Sequence, residues 1–97
     1  MGDATTEELR KKVDNFPRQP GIYLIKDARN EVIYVGKAVD LRDRVRSYFQ
    51  PGTRDSRLIY LQIDQAADID VVVTDSEKEA LVLERNFIKQ FRPKYNV

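Results

Sequence analysis

The 97-residue sequence contains no cysteine and no histidine. It therefore cannot form disulfides, zinc sites built from cysteine and histidine, cysteine nucleophiles or Ser-His-Asp triads. Any catalysis must rely on tyrosine, lysine, arginine, carboxylate, hydroxyl or amide groups. The lack of cysteine also fits a reducing compartment.

Long apolar runs are missing as well. No stretch approaches the roughly 18–20 apolar residues that span a membrane, and we find no charged-then-apolar leader segment. Hydrophobic residues make up 41% of the chain, with five tyrosines and four phenylalanines. This content is enough for one modest core. We therefore expect a single soluble, cytoplasmic domain with a small sheet and a few helices.

The net charge of +1 conceals three segments of alternating sign. Residues 37–57 contain six basic and three acidic side chains, residues 60–80 one basic and six acidic, and residues 84–97 four basic and one acidic. If the two basic segments converge in space, they form a face that binds polyanions; if they do not, they are ordinary solvated surface. The sequence leaves both interpretations open.

Periodicity and end signals predict the order of the secondary structure. We expect a helix over residues 7–13 capped by Thr5 or Thr6, strands over 21–26 and 32–35, and a loop over 37–40. Helices over 41–49 and 55–66 and a strand over 69–74 should follow. The last helix should begin with a capping box of Ser76 and Glu79 and end at residue 91. Residues 27–31 are typical of a hairpin turn, with Asn30 in the left-handed region. Tyr23 and Tyr34 should then be neighbours on one antiparallel ribbon.

Glu84 lies near the centre of the apolar arc of the last predicted helix. Burial of an unpaired charge costs several kcal/mol, so this carboxylate should pair with a cation, bind a metal or lie at the edge of a cleft. One interpretation is a structural ion pair with Arg44 or Lys37. The other is a ligand for Mg²⁺ or Mn²⁺, which accept oxygen donors and keep several waters.

Arg44 and Tyr48 are spaced to lie on one edge of the second predicted helix. Arg44 is either a clamp for a phosphate oxygen or an ordinary surface arginine. Lys37 follows a glycine at the end of the second strand, where the backbone can approach a ligand.

Tyr23 and Tyr34 have two interpretations. Tyrosines in strands usually pack and form hydrogen bonds. In a hydrolytic site without histidine, however, one of them would have to accept a proton. Either Lys37, Arg44 and a divalent ion would together lower its pKa from about 10, or the phenol would take the water proton in concert.

Several of these motifs resemble those of the GIY-YIG nuclease superfamily and, more narrowly, those of the N-terminal domain of the UvrC family of excinuclease subunits. The superfamily resemblance is carried by Gly21-Ile22-Tyr23 and Tyr34-Val35-Gly36, followed by Arg44, Glu84 and Asn96. The narrower resemblance adds Pro20, Ile33, Lys37-Ala38, Leu41, Arg44-Val45-Arg46-Ser47-Tyr48-Phe49, Glu79-Ala80-Leu81 and Pro93-Lys94-Tyr95-Asn96-Val97.

This resemblance implies an α+β fold, a small three-stranded antiparallel sheet flanked by helices. It also implies an endonuclease domain that uses Mg²⁺ or Mn²⁺ to make the 3′ incision in damaged double-stranded DNA during bacterial nucleotide excision repair. UvrB would be a partner through the full-length protein. Residues 1–97 would then be one domain, monomeric by itself, excised from a longer chain.

The resemblance also assigns roles to particular residues. Glu84 would be the metal ligand and Arg44 a stabiliser of the transition state. Tyr23, Tyr34, Lys37 and Tyr48 would line the site, with Tyr23 preferred over Tyr34 as the proton acceptor, and Asn96 would contribute from the C-terminal segment. Val39 replaces the basic residue usual after Gly-Lys-Ala, which would weaken a phosphate contact.

Two other functions remain open. The chain could be a stand-alone or structure-specific nuclease of the same superfamily. It could also be a non-catalytic module that binds DNA or docks on UvrB, although such a module would not need Glu84 on an apolar helix face.

Overall fold

An antiparallel sheet lies at the centre of the fold, with helices packed on both of its faces. The computed structural model describes residues 2–49 and 66–96. Within these ranges the elements are α1 (Gly2–Asp14), β1 (Gly21–Lys26), β2 (Val32–Ala38), α2 (Leu41–Arg46) followed by a 3-10 turn (Ser47–Phe49), β3 (Asp68–Val73) and α3 (Glu77–Phe91). The three strands are ordered β2-β1-β3, which confirms the expected α+β class.

The β1–β2 hairpin forms as predicted, but β2 is longer than expected. Asp27 accepts hydrogen bonds from the backbone N–H groups of Arg29 and Glu31, and Asn30 has a φ of 65°. The prediction of a loop over 37–40 is wrong in its first half, since Lys37 and Ala38 pair with the start of β1. Continued pairing with β1 therefore extends the strand past its glycine.

The other predicted ends shift by smaller amounts. α1 begins at Gly2 rather than near residue 7, the second helix becomes a 3-10 turn after Arg46, and β3 covers residues 68–73 rather than 69–74. The helix predicted over 55–66 falls almost entirely outside the described residues.

The capping box of α3 forms, but one of its two hydrogen bonds uses a backbone N–H one residue earlier than predicted. Ser76 Oγ accepts from the N–H of Glu79, as predicted, at 3.1 Å. The Glu79 carboxylate accepts from the N–H of Asp75, at 2.7 Å, and not from that of Ser76. Both bonds satisfy backbone donors at the start of the helix.

The two faces of the sheet bury separate hydrophobic clusters. On one face, α1 and α2 cover a cluster that includes Val13, Tyr23, Ile25 and Val45. On the other face, α3 covers a smaller cluster that includes Ile22, Leu24, Val35 and Ala80. Alternation along β1 sends successive side chains to opposite faces, so one short strand contributes to both clusters.

No helix in residues 2–49 and 66–96 has the length and apolar character needed to cross a membrane.

Candidate active site

Tyr23 is the buried centre of a group of tyrosines on the face covered by α1 and α2. It pairs in register with Gly36 of β2, and its side chain is only 1% exposed. A Cβ atom added to Gly36 would collide with the Tyr23 ring and hydroxyl. Gly36 is therefore required to make room for this ring.

Tyr23 contacts two further tyrosines from different elements. Its hydroxyl is 2.5 Å from that of Tyr48, which the 3-10 turn after α2 carries into the same buried region. The ring of Tyr34 on β2 lies 6.1 Å from that of Tyr23, centre to centre. The predicted neighbours Tyr23 and Tyr34 are therefore confirmed, and Tyr48 joins them.

Arg44 lies at the exposed side of this group. Its guanidinium carbon is 5.3 Å from the centre of the Tyr48 ring, a cation–π distance. The guanidinium also acts on the Tyr23 phenol through its charge and a hydrogen bond. The predicted proximity of Arg44 and Tyr48 is thus confirmed, with Arg44 facing solvent and Tyr48 facing the core.

Burial controls the ionisation of the two strand tyrosines. Burial, followed by the proximity of Tyr48, raises the pKa of Tyr23 well above its usual range. Burial, followed by the charge of Tyr23, raises the pKa of Tyr34 to about 12. Arg44 acts in the lowering direction on both pKa values but is outweighed. Of the cations expected to lower these pKa values, Arg44 therefore acts in the expected direction but does not by itself offset burial.

The sheet separates the predicted site residues into two sets. The register places Lys37 opposite Ile22, on the face that α3 covers, and Glu84 belongs to α3. Tyr23, Tyr48 and Arg44 are associated with the opposite face. Tyr34 connects the sets, because the charges of both Arg44 and Glu84 act on its phenol. Since β2 is an edge strand, the two sets meet around its outer side.

Glu84 is half-buried on α3, as its position in the apolar arc predicted. It takes part in none of the salt bridges found within residues 2–49 and 66–96. The structural ion pair with Arg44 or Lys37 is therefore not observed. A half-buried carboxylate without a salt bridge retains oxygen lone pairs that can bind a cation.

Lys37 and Arg44 both line a shallow groove of about 380 Å³. The exposed side chain of Val39 and the carboxylates of Asp40 and Asp43 also line it. Two cations of the basic segment 37–57 thus face one surface depression.

Asn96 uses both ends of its side-chain amide on the backbone of β2. Its Oδ1 accepts from the N–H of Val35 at 2.8 Å, and its Nδ2 donates to the Val35 carbonyl at 2.9 Å. The N–H of Tyr95 also donates to the carbonyl of Ile33. The C-terminal segment thus covers the outer edge of β2 much as another strand would, and Asn96 holds the residue between Tyr34 and Gly36.

Comparison with known proteins assigns this arrangement to a family. The sequence profile of the UvrC-like GIY-YIG domain matches residues 19–97. The chain belongs to the UvrC-like GIY-YIG domain family. Its relatives include the UvrABC system protein C of Carboxydothermus hydrogenoformans, 52% identical over 92% of this chain, and that of Anaeromyxobacter dehalogenans, 53% identical over 92%.

This GIY-YIG domain is also similar to solved structures. The magnesium-bound N-terminal endonuclease domain of UvrC from Thermotoga maritima has a TM-score of 0.83 and 41% identity, and the match covers 94% of this chain and 98% of that one. Variants of that domain with a tyrosine replaced by phenylalanine or an asparagine by alanine are also bound to its catalytic divalent cation. By contrast, the chain spans only 15% and 13% of the two curated relatives.

Sequence reasoning missed one feature of this GIY-YIG domain, the hydrogen-bonded Tyr23–Tyr48 pair. The two residues come from a strand and a 3-10 turn, and no local pattern links them. The glycine opposite Tyr23 was the available signal, because a glycine inside a strand often marks a close approach by another group.

Proposed function

We propose that this domain is a divalent-cation-dependent endonuclease that hydrolyses a DNA phosphodiester. The observation that carries the proposal is Glu84, a half-buried carboxylate without a salt bridge among the described residues, whose charge acts on Tyr34. The related domain from Thermotoga maritima provides further support, since it is an endonuclease domain bound to magnesium as its catalytic cation.

The residues around Glu84 fit a hard cation that keeps much of its hydration. The described residues contain no group of three or more acidic, histidine or cysteine side chains that could enclose a metal. Mg²⁺ commonly binds through one or two carboxylates, with water and substrate phosphate as its other ligands. When bound, such an ion would polarise the scissile phosphate and stabilise the charge that develops on it. Glu84 would be its protein ligand.

We assign the role of proton acceptor to Tyr34, although the sequence had favoured Tyr23. Tyr23 is 1% exposed and its hydroxyl is bonded to Tyr48, so an attacking water cannot readily reach it. Tyr34 is half-buried and is acted on by Arg44 and Glu84. A general base must lie within hydrogen-bond distance of the proton that it removes. Because burial raises the pKa of Tyr34 to about 12, its phenol would take the water proton in concert with the release of its own proton to solvent. Tyr23 and Tyr48 would position the Tyr34 ring.

Arg44 and Lys37 would bind the phosphate. Both line the groove beside Tyr34's strand, and Arg44 is held against the Tyr48 ring. A guanidinium can donate two hydrogen bonds to phosphate oxygens and stabilise negative charge in the transition state. Asn96 would act indirectly, since it fixes the backbone of Val35 next to Tyr34.

The names of the relatives support a wider context, which we propose for this chain as well. The domain would belong to a longer protein of a bacterial UvrABC system, would work in the cytoplasm, and would make the 3′ incision in damaged double-stranded DNA. UvrB would be its partner through that longer protein. By itself the 97-residue domain would be a monomer.

A manganese experiment tests the proposal. Crystals soaked in Mn²⁺ should show anomalous density within coordination distance of the Glu84 carboxylate, and the peak should be lost in Glu84→Gln. Glu77→Gln, at the exposed start of the same helix, should keep it. Wild-type protein should also nick supercoiled DNA with Mn²⁺, whereas Glu84→Gln should not. Absence of the peak at high Mn²⁺, with DNA bound equally by both proteins and cut by neither, would instead indicate a binding module.

A further inference from the structure

A second cavity lies at the other end of β2, between the β1–β2 turn and the end of α3. Its volume is about 490 Å³, and its lining residues are Asn30, Glu31, Val32, Ile33, Phe91, Arg92 and Lys94. None of the predicted catalytic residues lines it. The proposed reaction therefore leaves this cavity without a role.

The cavity wall combines an exposed aromatic ring with the two cations Arg92 and Lys94 and with one carboxylate, that of Glu31. Phe91 is 42% exposed although it packs edge-to-face on Phe87. Within residues 2–49 and 66–96, neither Arg92 nor Lys94 takes part in a salt bridge. Lys94 lies over the Tyr95 ring at 5.3 Å. Cations next to an exposed aromatic ring are typical of sites for single-stranded nucleic acid.

The backbone at this cavity adds an independent observation. Asn30 and Arg92 have φ values of 65° and 44°, and both line the cavity. Asparagine adopts this conformation readily in turns, whereas a long side chain does so at some cost. Arg92 occupies the left-handed position that ends α3, where glycine is the usual residue. Arginine at this position is unfavourable for the helix end, which points to a use for its guanidinium.

We propose that this cavity is a secondary DNA site that binds one unpaired nucleotide, with its base against Phe91 and its phosphate on Arg92 and Lys94. The inference rests on the proposed function for its choice of ligand. Ile33 at this cavity and Lys37 at the reaction site lie four residues apart on β2, about 13 Å at the rise of a strand. One DNA strand can therefore reach both places. The basic segment 84–97 would then bind the same DNA as Lys37 and Arg44.

Arg92→Gly is the decisive variant because it separates the role of residue 92 at the helix end from the role of its guanidinium in binding. Glycine adopts the left-handed conformation without strain, so the variant should unfold at the same or a higher temperature than wild type. Loss of the guanidinium should nevertheless weaken binding of a fluorescein-labelled oligothymidine of roughly 12 nucleotides. The slope of log K against log salt should become shallower by about 0.7 for each lost phosphate contact.

Two further variants and a control complete the test. Phe91→Leu keeps an apolar contact with Phe87 but removes the aromatic face, and should lower affinity about 5- to 150-fold. Lys94→Gln should reduce the salt dependence as Arg92→Gly does. Lys78→Gln, an exposed lysine at the opposite end of α3, should leave the affinity and salt slope nearly unchanged.

The outcomes distinguish this inference from the proposed function. If Arg92→Gly and Phe91→Leu bind the oligonucleotide like wild type, the secondary site is wrong, even if Glu84 binds Mn²⁺ and the domain cuts DNA. If both variants lose affinity while Lys78→Gln does not, the site is supported, even if no metal binds at Glu84. Equal losses in Arg92→Gly, Lys94→Gln and Lys78→Gln, with Phe91→Leu binding like wild type, would also overturn it, since they would indicate only a general charge effect.

Discussion

At the scale of single residues, the candidate site is a set of tyrosines whose burial differs. Tyr23 is completely enclosed and Tyr34 only partly, although both lie on adjacent strands. Both have raised pKa values, and burial is the largest cause in each case. In the proposed function, the same residue type would therefore perform two tasks. Tyr23 packs in the core and bonds to Tyr48, whereas Tyr34 would face the substrate.

Replacement of each strand tyrosine by phenylalanine should separate these tasks. Tyr34→Phe should reduce single-turnover DNA cleavage by about 10²–10⁴-fold with little loss of stability, because a general base contributes on that order. Tyr23→Phe should instead lower the free energy of unfolding by about 0.5–1.5 kcal/mol, since it removes the buried hydrogen bond between the Tyr23 and Tyr48 hydroxyls. Urea unfolding and a cleavage assay on both proteins check this prediction. A larger cleavage defect in Tyr23→Phe than in Tyr34→Phe would restore Tyr23 as the proton acceptor.

Gly36→Ala should destabilise the domain through one specific collision. The new methyl group would overlap the Tyr23 ring, and overpacking of this kind typically costs about 1–3 kcal/mol. A double-mutant cycle gives the control. In a Tyr23→Leu background the ring is gone, so the same Gly36→Ala change should cost much less, which urea unfolding of the four proteins would measure. Equal costs in both backgrounds would show that backbone conformation, and not the ring, requires the glycine.

At the scale of elements, the sequence predicts local structure better than it predicts pairing. The β-branched runs and the Asn30 turn place the hairpin correctly, because both signals are local. The extension of β2 through Ala38 depends on pairing with Gly21, which no local pattern encodes. The change from α-helix to 3-10 turn before Tyr48 was missed for a similar reason, since that turn carries Tyr48 to its bond with Tyr23.

The C-terminal segment shows the same limit at the edge of β2. Only the family resemblance singled out Asn96. Its two hydrogen bonds to the backbone of Val35 join residues that are far apart in sequence. An exposed strand edge presents unpaired N–H and C=O groups. Here the side-chain amide of Asn96 bonds to both such groups of one residue, Val35. The packing of this segment therefore depends on tertiary contacts.

Asn96→Ala should loosen β2 from its outer side. The loss of two hydrogen bonds to part-buried backbone should lower the free energy of unfolding by about 1–3 kcal/mol. Amide exchange of Val35 should accelerate more than that of Leu24 in the central strand, because the released edge opens locally. Asn86→Ala, on the exposed side of α3, is the matched control and should change neither quantity. Unchanged exchange at Val35 in Asn96→Ala would contradict this role for the amide.

At the scale of the whole molecule, a charge network complements the two hydrophobic clusters. Lys12 of α1 bonds to Asp68 and Asp70 of β3 at 2.7 and 3.0 Å, and Asp70 also bonds to Lys26 of β1. Burial lowers the pKa of Lys12, but the two carboxylates outweigh it and the pKa is raised. The acidic segment 60–80 is thus partly neutralised by α1. The sequence showed the imbalance of charge but not which cations would compensate it.

The raised pKa values predict how the stability of the whole domain depends on alkaline pH. Below about pH 10, the reference pKa of tyrosine, the folded and unfolded chains both keep the phenolic protons, so stability should be flat with respect to these groups. Above that pH the unfolded chain releases protons that the folded chain retains. The free energy of unfolding should then fall, by up to about 1.4 kcal/mol per pH unit for Tyr23 and less for the more exposed Tyr34. Lys12, whose pKa is also raised, contributes in the same direction.

Urea unfolding at intervals from about pH 8 to about pH 11 measures how the free energy of unfolding depends on pH. Tyr23→Phe removes the phenol that is expected to contribute most to this dependence. The variant should be less stable than wild type at pH 8, yet its stability should decline less steeply above pH 10. The two curves should therefore converge as the pH rises, because only the wild-type protein loses the stability that depends on a protonated Tyr23. Parallel curves would mean that Tyr23 ionises at its ordinary pKa in the folded domain. They would also undercut the assignment of Tyr34 as the proton acceptor, which depends on Tyr23 being shielded from water.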